Sequence, residues 1–359
     1  MQKMFKTLLS VPELIFAKGA ISQLPHLLES LRKHSDYAVL IIDHYFTTSD
    51  LSGRLNLHQN DLIFYLDTTN EPTTDSVDQF VRKIKNQRSE LPCVVVGIGG
   101  GSTMDMAKAI SIMLTNPGKT EQYQGWDLVK NLPVYKIGVP TLSGTGAEVS
   151  RTTVLNSPRK KQGINSDYSL FNKILLDPDL LETVPPKQRF FSGMDCYIHC
   201  IESLTGGYSN EFSRAFASKA HELSRDVFLN GFSNADLMVA SYMGGYAIVY
   251  SEVGLIHALS YGLSHAFHIH HGESNCIVLN GLEEYYPNPL AEFRKMLKKN
   301  NVELTLPKNL QYDDTVLEKM VNIVLLMEKP LRNALGPNWQ QILTREKIKE
   351  LYHRILELK

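Results

Sequence analysis

Cysteine is scarce: four in 359 residues, at Cys93, Cys196, Cys200 and Cys276. That is too few for a disulfide framework in a chain of this size, and no CxxC pair is present to suggest a zinc ribbon or a redox motif. A surplus of charge is also missing. The 37 Lys and Arg balance 38 Asp and Glu, for a formal net charge of -1. Binding a polyanion needs a surplus of Lys and Arg on one face, so the balance argues against a nucleic-acid partner. The start, MQKMFKTLLSVPELIF, lacks the apolar core and small-residue cleavage site of a secretory signal, so the expected location is the cytoplasm. Low-complexity tracts and internal repeats are absent. The stretch Val253 to His270 has no Asp, Glu, Lys or Arg, but it carries four His, two Ser and a Tyr. It reads as a buried helix and its continuation lining a polar site, with no insertion into a membrane.

Histidine is what the chain does have. Of twelve, four lie singly in the first 60 residues, and none occurs from 59 to 198. His199 and His221 follow. Then His257, His265, His268, His270 and His271 fall within fifteen residues, and His353 ends the series. Imidazoles in an apolar segment need partners, so this clustering points to a metal or an acid/base site.

Two rhythms divide the chain. The first half alternates apolar runs with helical patterns: YAVLIID (37–43), DLIFYL (61–66), a helix over 75–87, CVVVGIGGG (93–101), a helix from Met104, VYKIGVPT (134–141) and KILLD (173–177). This predicts a parallel sheet covered by helices. After Pro178 the spacing is helical almost throughout, with runs over 185–207, 210–229 and 235–267 and a charged tail from Thr344. Pro185-Pro186 is the strongest boundary signal. The expected domains are 1–182, α/β and dinucleotide-binding, and 183–359, helical and metal-binding.

GIGGGSTMDMAKA follows a strand and opens a helix. Gly99, Gly100 and Gly101 let backbone approach a phosphate, and the first amides of the helix can bind it. Ser102 and Thr103 are candidate caps. A tight strand-to-helix turn would use the same glycines. The loop is neither a Walker A sequence nor a regular dinucleotide fingerprint, because Gly97-x-Gly99-x-x-Ser102 ends in Ser. A second polar glycine loop, PTLSGTGAE (140–148), favours a nucleotide site. Asp43 ends the first strand of this rhythm, where a carboxylate accepts hydrogen bonds from a ribose and repels a 2′-phosphate. It is equally an ordinary strand-end Asp. Asp195 and His199, four apart on a helix, share a face. With His257 on another helix and His271 in a loop-like HHGES, one carboxylate and three imidazoles suit Fe(II) or Zn(II).

GGGSTMDMAKA, PTLSGTGAEVS, GMDCYIHCIES and HALSYGLSHAFHIHHG, in this order, resemble the iron-containing alcohol dehydrogenase family from about residue 10 to at least 300. The resemblance implies a dehydroquinate-synthase-like fold: a parallel-sheet α/β dinucleotide-binding domain, an all-α domain, and the site between them. It implies metal ligands at Asp195, His199, His257 and His271. For the cofactor NAD it implies Gly99, Gly100, Gly101, Ser102 and neighbouring Asp105, with Thr141, Ser143 and Thr145 toward the nicotinamide, Lys161 toward the ribose and Asp43 selecting NAD over NADP. A His that relays protons in many members is Tyr261 here, and a phenol is a poor base near neutral pH. His265 or His268 could relay instead, with His268 the first to test. YQGWD (123–127), GMDCYIHCIES, NEFSRAFA, SYGL and HHGESNC look most like the branch that oxidises the C8 hydroxyl of 3-deoxy-D-manno-octulosonate for lipopolysaccharide synthesis. That branch implies a sugar-acid substrate, a pathway aminotransferase as partner and a homodimer. It also demands a cation for the sugar carboxylate, for which Arg151 is the candidate. Two readings compete. One is a polyol dehydrogenase or dehydroquinate-synthase-like lyase on the same architecture. The other is a non-catalytic metal or nucleotide sensor, which would need a recognition helix or basic patch that the sequence does not show.

Overall fold

The computed structural model describes residues 9–32, 37–49, 51–157, 161–306 and 312–357, without the side chains of 52, 54 and 161. Two compact units emerge: Met1–Leu142 with Ala147–Thr183, and Ser143–Gly146 with Val184–Lys359.

Among its described residues the first unit carries nine strands: β1 (Glu13–Phe16), β2 (Val39–Asp43), β3 (Leu62–Leu66), β4 (Val95–Gly99), β5 (Gly125–Trp126), β6 (Lys136–Pro140), β7 (Thr152–Asn156), β8 (Lys161–Asn165) and β9 (Lys173–Leu176). Six form a parallel sheet in the order β1-β9-β6-β4-β2-β3. β4 and β6 are buried throughout, and so is β2 but for its last residue, as expected of central strands covered on both faces. Leu40, Ile42, Val96, Ile98, Ile137 and Val139 form the core with Leu24 and Leu28. Four helices accompany the sheet: α1 (Leu24–Leu31), α2 (Leu51–Arg54), α3 (Thr74–Gln87) and α4 (Gly101–Thr115). A Thr73/Ser76 capping box starts α3. Every residue of α4 from Thr103 to Leu114 is buried.

From β2 the chain steps to β3 on one side and later to β4 on the other. The carboxyl ends of β2 and β4 therefore flank the topological switch point, where doubly wound sheets bind ligands. Asp43 and Gly99 are those two ends. The expectations for 37–43, 61–66, 93–101, 134–141 and 173–177 all fall on strands. β1 and the small sheet β5-β8-β7, with its β7–β8 antiparallel hairpin, are additions.

The second unit is helical: α5 (Pro186–Thr205), α6 (Glu211–Leu229), α7 (Asn234–Ser251), α8 (Leu255–Phe267), α9 (His271–Asn280), α10 (Pro287–Lys299), α11 (Asp314–Leu325), α12 (Glu328–Leu335), α13 (Trp339–Ile342) and α14 (Arg345–Glu357). The sequence departs from expectation twice here. The run 235–267 is two helices, because Glu252 takes a left-handed φ of 96° and ends α7. HHGES is no loop: His270 is the N-cap of α9 and His271 its first residue. No helix among the described residues is long and apolar enough to cross a membrane.

Candidate metal centre and nucleotide loops

In the helical unit, α5 presents Asp195, His199 and Glu202 at successive turns, all buried. His257 stands in the first turn of α8, where it is 1% exposed. His271 opens α9. The Nε2 atoms of His257, His199 and His271 lie 3.3, 3.5 and 3.6 Å from Asp195 Oδ1. Asp195, His257 and His271 each offer a ligand atom within 4.8 Å of the others. His199 joins through Asp195 and stacks on His257, with ring centroids 4.8 Å apart and planes 14° from parallel.

The donor set fits a divalent metal on chemistry and spacing. A tetrahedral ion with bonds of ~2.1 Å has ligand–ligand edges of ~3.4 Å, close to the separations from Asp195 Oδ1. Oδ2 of Asp195 is buried and has no hydrogen-bond partner among the described residues. Carboxylate oxygen with imidazole nitrogen suits Fe(II) and Zn(II) alike. Burial alone would raise the pKa of Asp195, but the surrounding imidazoles hold it well below the usual carboxylate range. Burial lowers the pKa of His199. His257 is also pressed down by burial, yet Glu202 and then Asp195 reverse this and raise it to about 10.

Two residues here were not singled out from sequence. Asn275, one turn beyond His271, donates through Nδ2 to Asp195 Oδ1 at 2.7 Å, and Nδ2 lies 3.3 and 3.2 Å from Nε2 of His257 and His271. Glu202 contacts His257 Nδ1 at 2.6 Å and accepts from the amides of Gly254 and Ile256. The spacing Asp195, His199, Glu202 along one helix face, and His271 to Asn275 along another, are the signals that would find them. Tyr261 stacks on His271 with centroids 5.6 Å apart. His268 is exposed at the end of α8, in a left-handed conformation with φ 53°. Tyr261 is the relay candidate that is brought against a ligand ring.

In the first unit, Gly100 is the N-cap of α4 and no side chain caps that helix. Ser102 and Thr103 thus do not cap it; both lie inside the helix, and Thr103 is packed against Gly99. A Cβ on Gly97 would sit 2.7 Å from Ala107 Cβ, and one on Gly100 would sit 2.8 Å from Leu142 Cδ1. These glycines let strand and helix meet closely and leave the first amides of α4, including that of Gly101, free of side-chain caps. The Thr141 amide donates to the Gly99 carbonyl at 2.9 Å, tying the second loop to the first. Asp43 accepts from the Tyr45 amide at 3.0 Å and from Thr68 Oγ1 at 3.1 Å.

Other candidates are placed differently. Asp105 turns inward, accepts from the Val154 amide at 3.1 Å, and is pushed up to about 6 by burial. Fully buried Lys108 lies 3.7 Å from it and donates to the carbonyls of Ala147, Ser150 and Thr152 at 2.5, 3.0 and 3.0 Å. Arg151 is engaged on two sides, 2.5 Å from Asp127 Oδ1 and 2.9 Å from Asp167 Oδ1, over the ring of Trp126. Ser143 and Thr145 belong to the helical unit, where the neighbouring Gly144 amide donates to Ser241 Oγ at 2.7 Å. Ser143 is buried and Thr145 exposed. The side chain of Lys161 lies outside the described residues; its backbone pairs with Asn156.

Two family profiles match the chain, "Iron-containing alcohol dehydrogenase" over residues 12–178 and "Fe-containing alcohol dehydrogenase family, C-terminal" over residues 190–334. Alcohol dehydrogenase 4 of Saccharomyces cerevisiae is 29% identical over 288 residues, covering 76% of this chain and 74% of that protein. Sulfoacetaldehyde reductase of Bilophila wadsworthia is 31% identical over 236 residues, covering 63% and 60%. Among solved structures, sulfoacetaldehyde reductase of Bifidobacterium kashiwanohense in complex with NAD+ superposes with a TM-score of 0.83 at 21% identity, covering 99% of this chain and 100% of that one. The iron-containing alcohol dehydrogenase of Thermococcus thioreducens gives 0.81 at 21%, covering 98% and 100%. At these identities the likeness of the structures concerns the fold.

Proposed function

The chain belongs to the iron-containing alcohol dehydrogenase family, and on that premise we propose that it interconverts a primary alcohol and its aldehyde with NAD. The observation that carries this reading is the convergence of three imidazole Nε2 atoms on Asp195 Oδ1 at 3.3–3.6 Å. Asp195, His199, His257 and His271 would hold iron or zinc. Bound there, the metal supplies Lewis-acid polarisation of the alcohol oxygen, which favours loss of its proton.

The chain's own residues do the rest. Asp195, ionised and buried, supplies the negative charge that retains a cation. Tyr261, stacked on His271, is placed to pass the alcohol's proton outward, although a phenol does so slowly as a base near neutral pH. The uncapped start of α4 and the glycines 99–101 cradle the cofactor's pyrophosphate. Asp43, at the switch point, accepts from the adenosine ribose and disfavours a 2′-phosphate. NAD, held there, would supply the hydride acceptor for the alcohol.

For the substrate we infer the C8 hydroxyl of 3-deoxy-D-manno-octulosonate, with a downstream aminotransferase consuming the aldehyde and a cytoplasmic homodimer as the working form. Sequence alone supports this finer reading, through YQGWD, GMDCYIHCIES, NEFSRAFA, SYGL and HHGESNC. Arg151, held by Asp127 and Asp167, is no longer assigned to the sugar carboxylate. The test is NADH absorbance after loading with Fe(II) or Zn(II), across short alcohols, polyols and octulosonate. Preferred turnover of octulosonate supports the finer reading. Turnover of simple alcohols but not octulosonate leaves a general alcohol or polyol dehydrogenase. Cofactor binding without turnover of any alcohol overturns the enzymatic reading.

A further inference from the structure

Glu202 is 1% exposed, and both its oxygens are fully used. Oε2 accepts from the Gly254 amide at 2.7 Å and lies 2.6 Å from His257 Nδ1. Oε1 accepts from the amides of Ile256 and His257 at 2.6 and 3.3 Å. Both oxygens already accept from backbone amides, so the proton in the short contact is placed on Nδ1. The lone pair of the neutral ring is then on Nε2, the atom that faces Asp195 Oδ1 at 3.3 Å. The N-cap of α8 is Gly254, which has no side chain to serve the first amides of the helix. Glu202 serves them from α5 instead. One carboxylate therefore fixes the start of α8 and the ring that its first turn carries.

We propose that Glu202 is a positioning residue for the metal, setting the tautomer and orientation in which His257 ligates through Nε2. The proposal rests on the reading of His257 as a ligand. Carboxylates that hold a ligating imidazole by its other nitrogen typically contribute 10–100-fold in metal affinity. Asp195 cannot take this role for His257, because it faces the other ring nitrogen.

Glu202→Gln tests it, since glutamine keeps the shape but has one oxygen. If that oxygen serves the backbone amides of Ile256 and His257, the NH2 group faces Nδ1, turns it into an acceptor and moves the ring proton to Nε2. If it serves Nδ1, the NH2 group opposes the backbone amides and the ring loses its anchor. Either way the zinc dissociation constant, measured by chelator competition, rises by roughly 10–100-fold. In the zinc-loaded parent, long-range 1H–15N correlation finds the His257 proton on Nδ1 and zinc on Nε2, a readout that survives if the variant does not fold. Equal zinc affinity in parent and variant overturns the proposal, as does zinc on Nδ1. A lowered melting temperature with unchanged affinity also overturns it, because it would make Glu202 a helix cap only. A parent that binds no zinc removes the metal reading itself, which the other results leave standing.

Discussion

Metal binding to this protein is expected to release a proton at pH 7, and His257 is the source. Burial lowers the affinity of this imidazole for a proton, but Glu202 on one side and Asp195 on the other raise its pKa to about 10. Without a metal the ring is therefore protonated at neutral pH, and Nε2 must lose that proton to ligate. From pH 7 to a pKa of about 10 is about three pK units, or ~4 kcal/mol set against binding. Asp195 adds no proton, because its neighbours hold it ionised. His199 adds none, because burial keeps it neutral. Apparent affinity thus climbs about tenfold per pH unit between 7 and 10 from His257 alone.

The same shift works the opposite way on the metal-free fold. A pKa raised above the ordinary 6.5 stabilises the folded chain fully below that pH, and the benefit is lost as pH rises through about 10. The melting-temperature gain on zinc loading therefore widens as pH rises from 6.5 toward 10. Calorimetry of zinc binding at pH 7, in buffers of different ionisation enthalpy, counts the protons. A count near zero, or an affinity that is flat between pH 7 and 9, would refute a protonated His257 and the electrostatics behind it.

His271→Ala is expected to lose bound metal and the thermal gain on loading while remaining folded; unchanged metal content would remove His271 from the ligand set. Gly100→Val brings a side chain against Leu142, whose Cδ1 is 2.8 Å from the first added carbon, and is expected to weaken NAD binding in a fluorescence titration while metal content stays at the parental level. Lys108→Met leaves three carbonyls without their donor and strands Asp105 and Glu148 in the interior, at an expected ~3–5 kcal/mol of stability. A loss under ~1 kcal/mol in denaturant unfolding would show that Lys108 is not holding the 147–152 segment.

The parts legible in sequence share a physical cause. β2, β4 and β6 are buried on both faces, so they read as short runs rich in Val and Ile. Asp195 and His199 share one helix, so their spacing alone pairs them. β7 and β8 escaped because both are spelled with Thr, Asn and Gln, without a long apolar run. The break between α7 and α8 falls at residues 252–254, inside a run whose helical spacing continues on both sides. Glu202, on distant α5, accepts from the amides of Gly254 and Ile256 where α8 begins, a contact that local spacing does not reveal. Asn275 gives no signal while HHGES looks like a loop; once α9 starts at His271, the spacing of four puts His271 and Asn275 on one face.

Burial of charge does not by itself mark the site, since each unit has a buried charged cluster. In the first unit, donors meet acceptors: the Lys108 ammonium faces carbonyls and Asp105 faces an amide. Burial pushes Asp105 to about 6 and Glu148 to about 7, and nothing converges on an open point. That is the arrangement of a fold holding its own backbone in place. In the second unit, three ring nitrogens crowd one carboxylate oxygen at 3.3–3.6 Å, with the Asn275 amide group donating to the same oxygen. Lone pairs gathered this way repel unless protons or a cation stand among them, and dry surroundings make the repulsion stronger. The chain bears that arrangement on three helices at once, with Glu202 and Asn275 spent on holding it. A fold that needed only stability would have filled the same space with apolar side chains at no such cost.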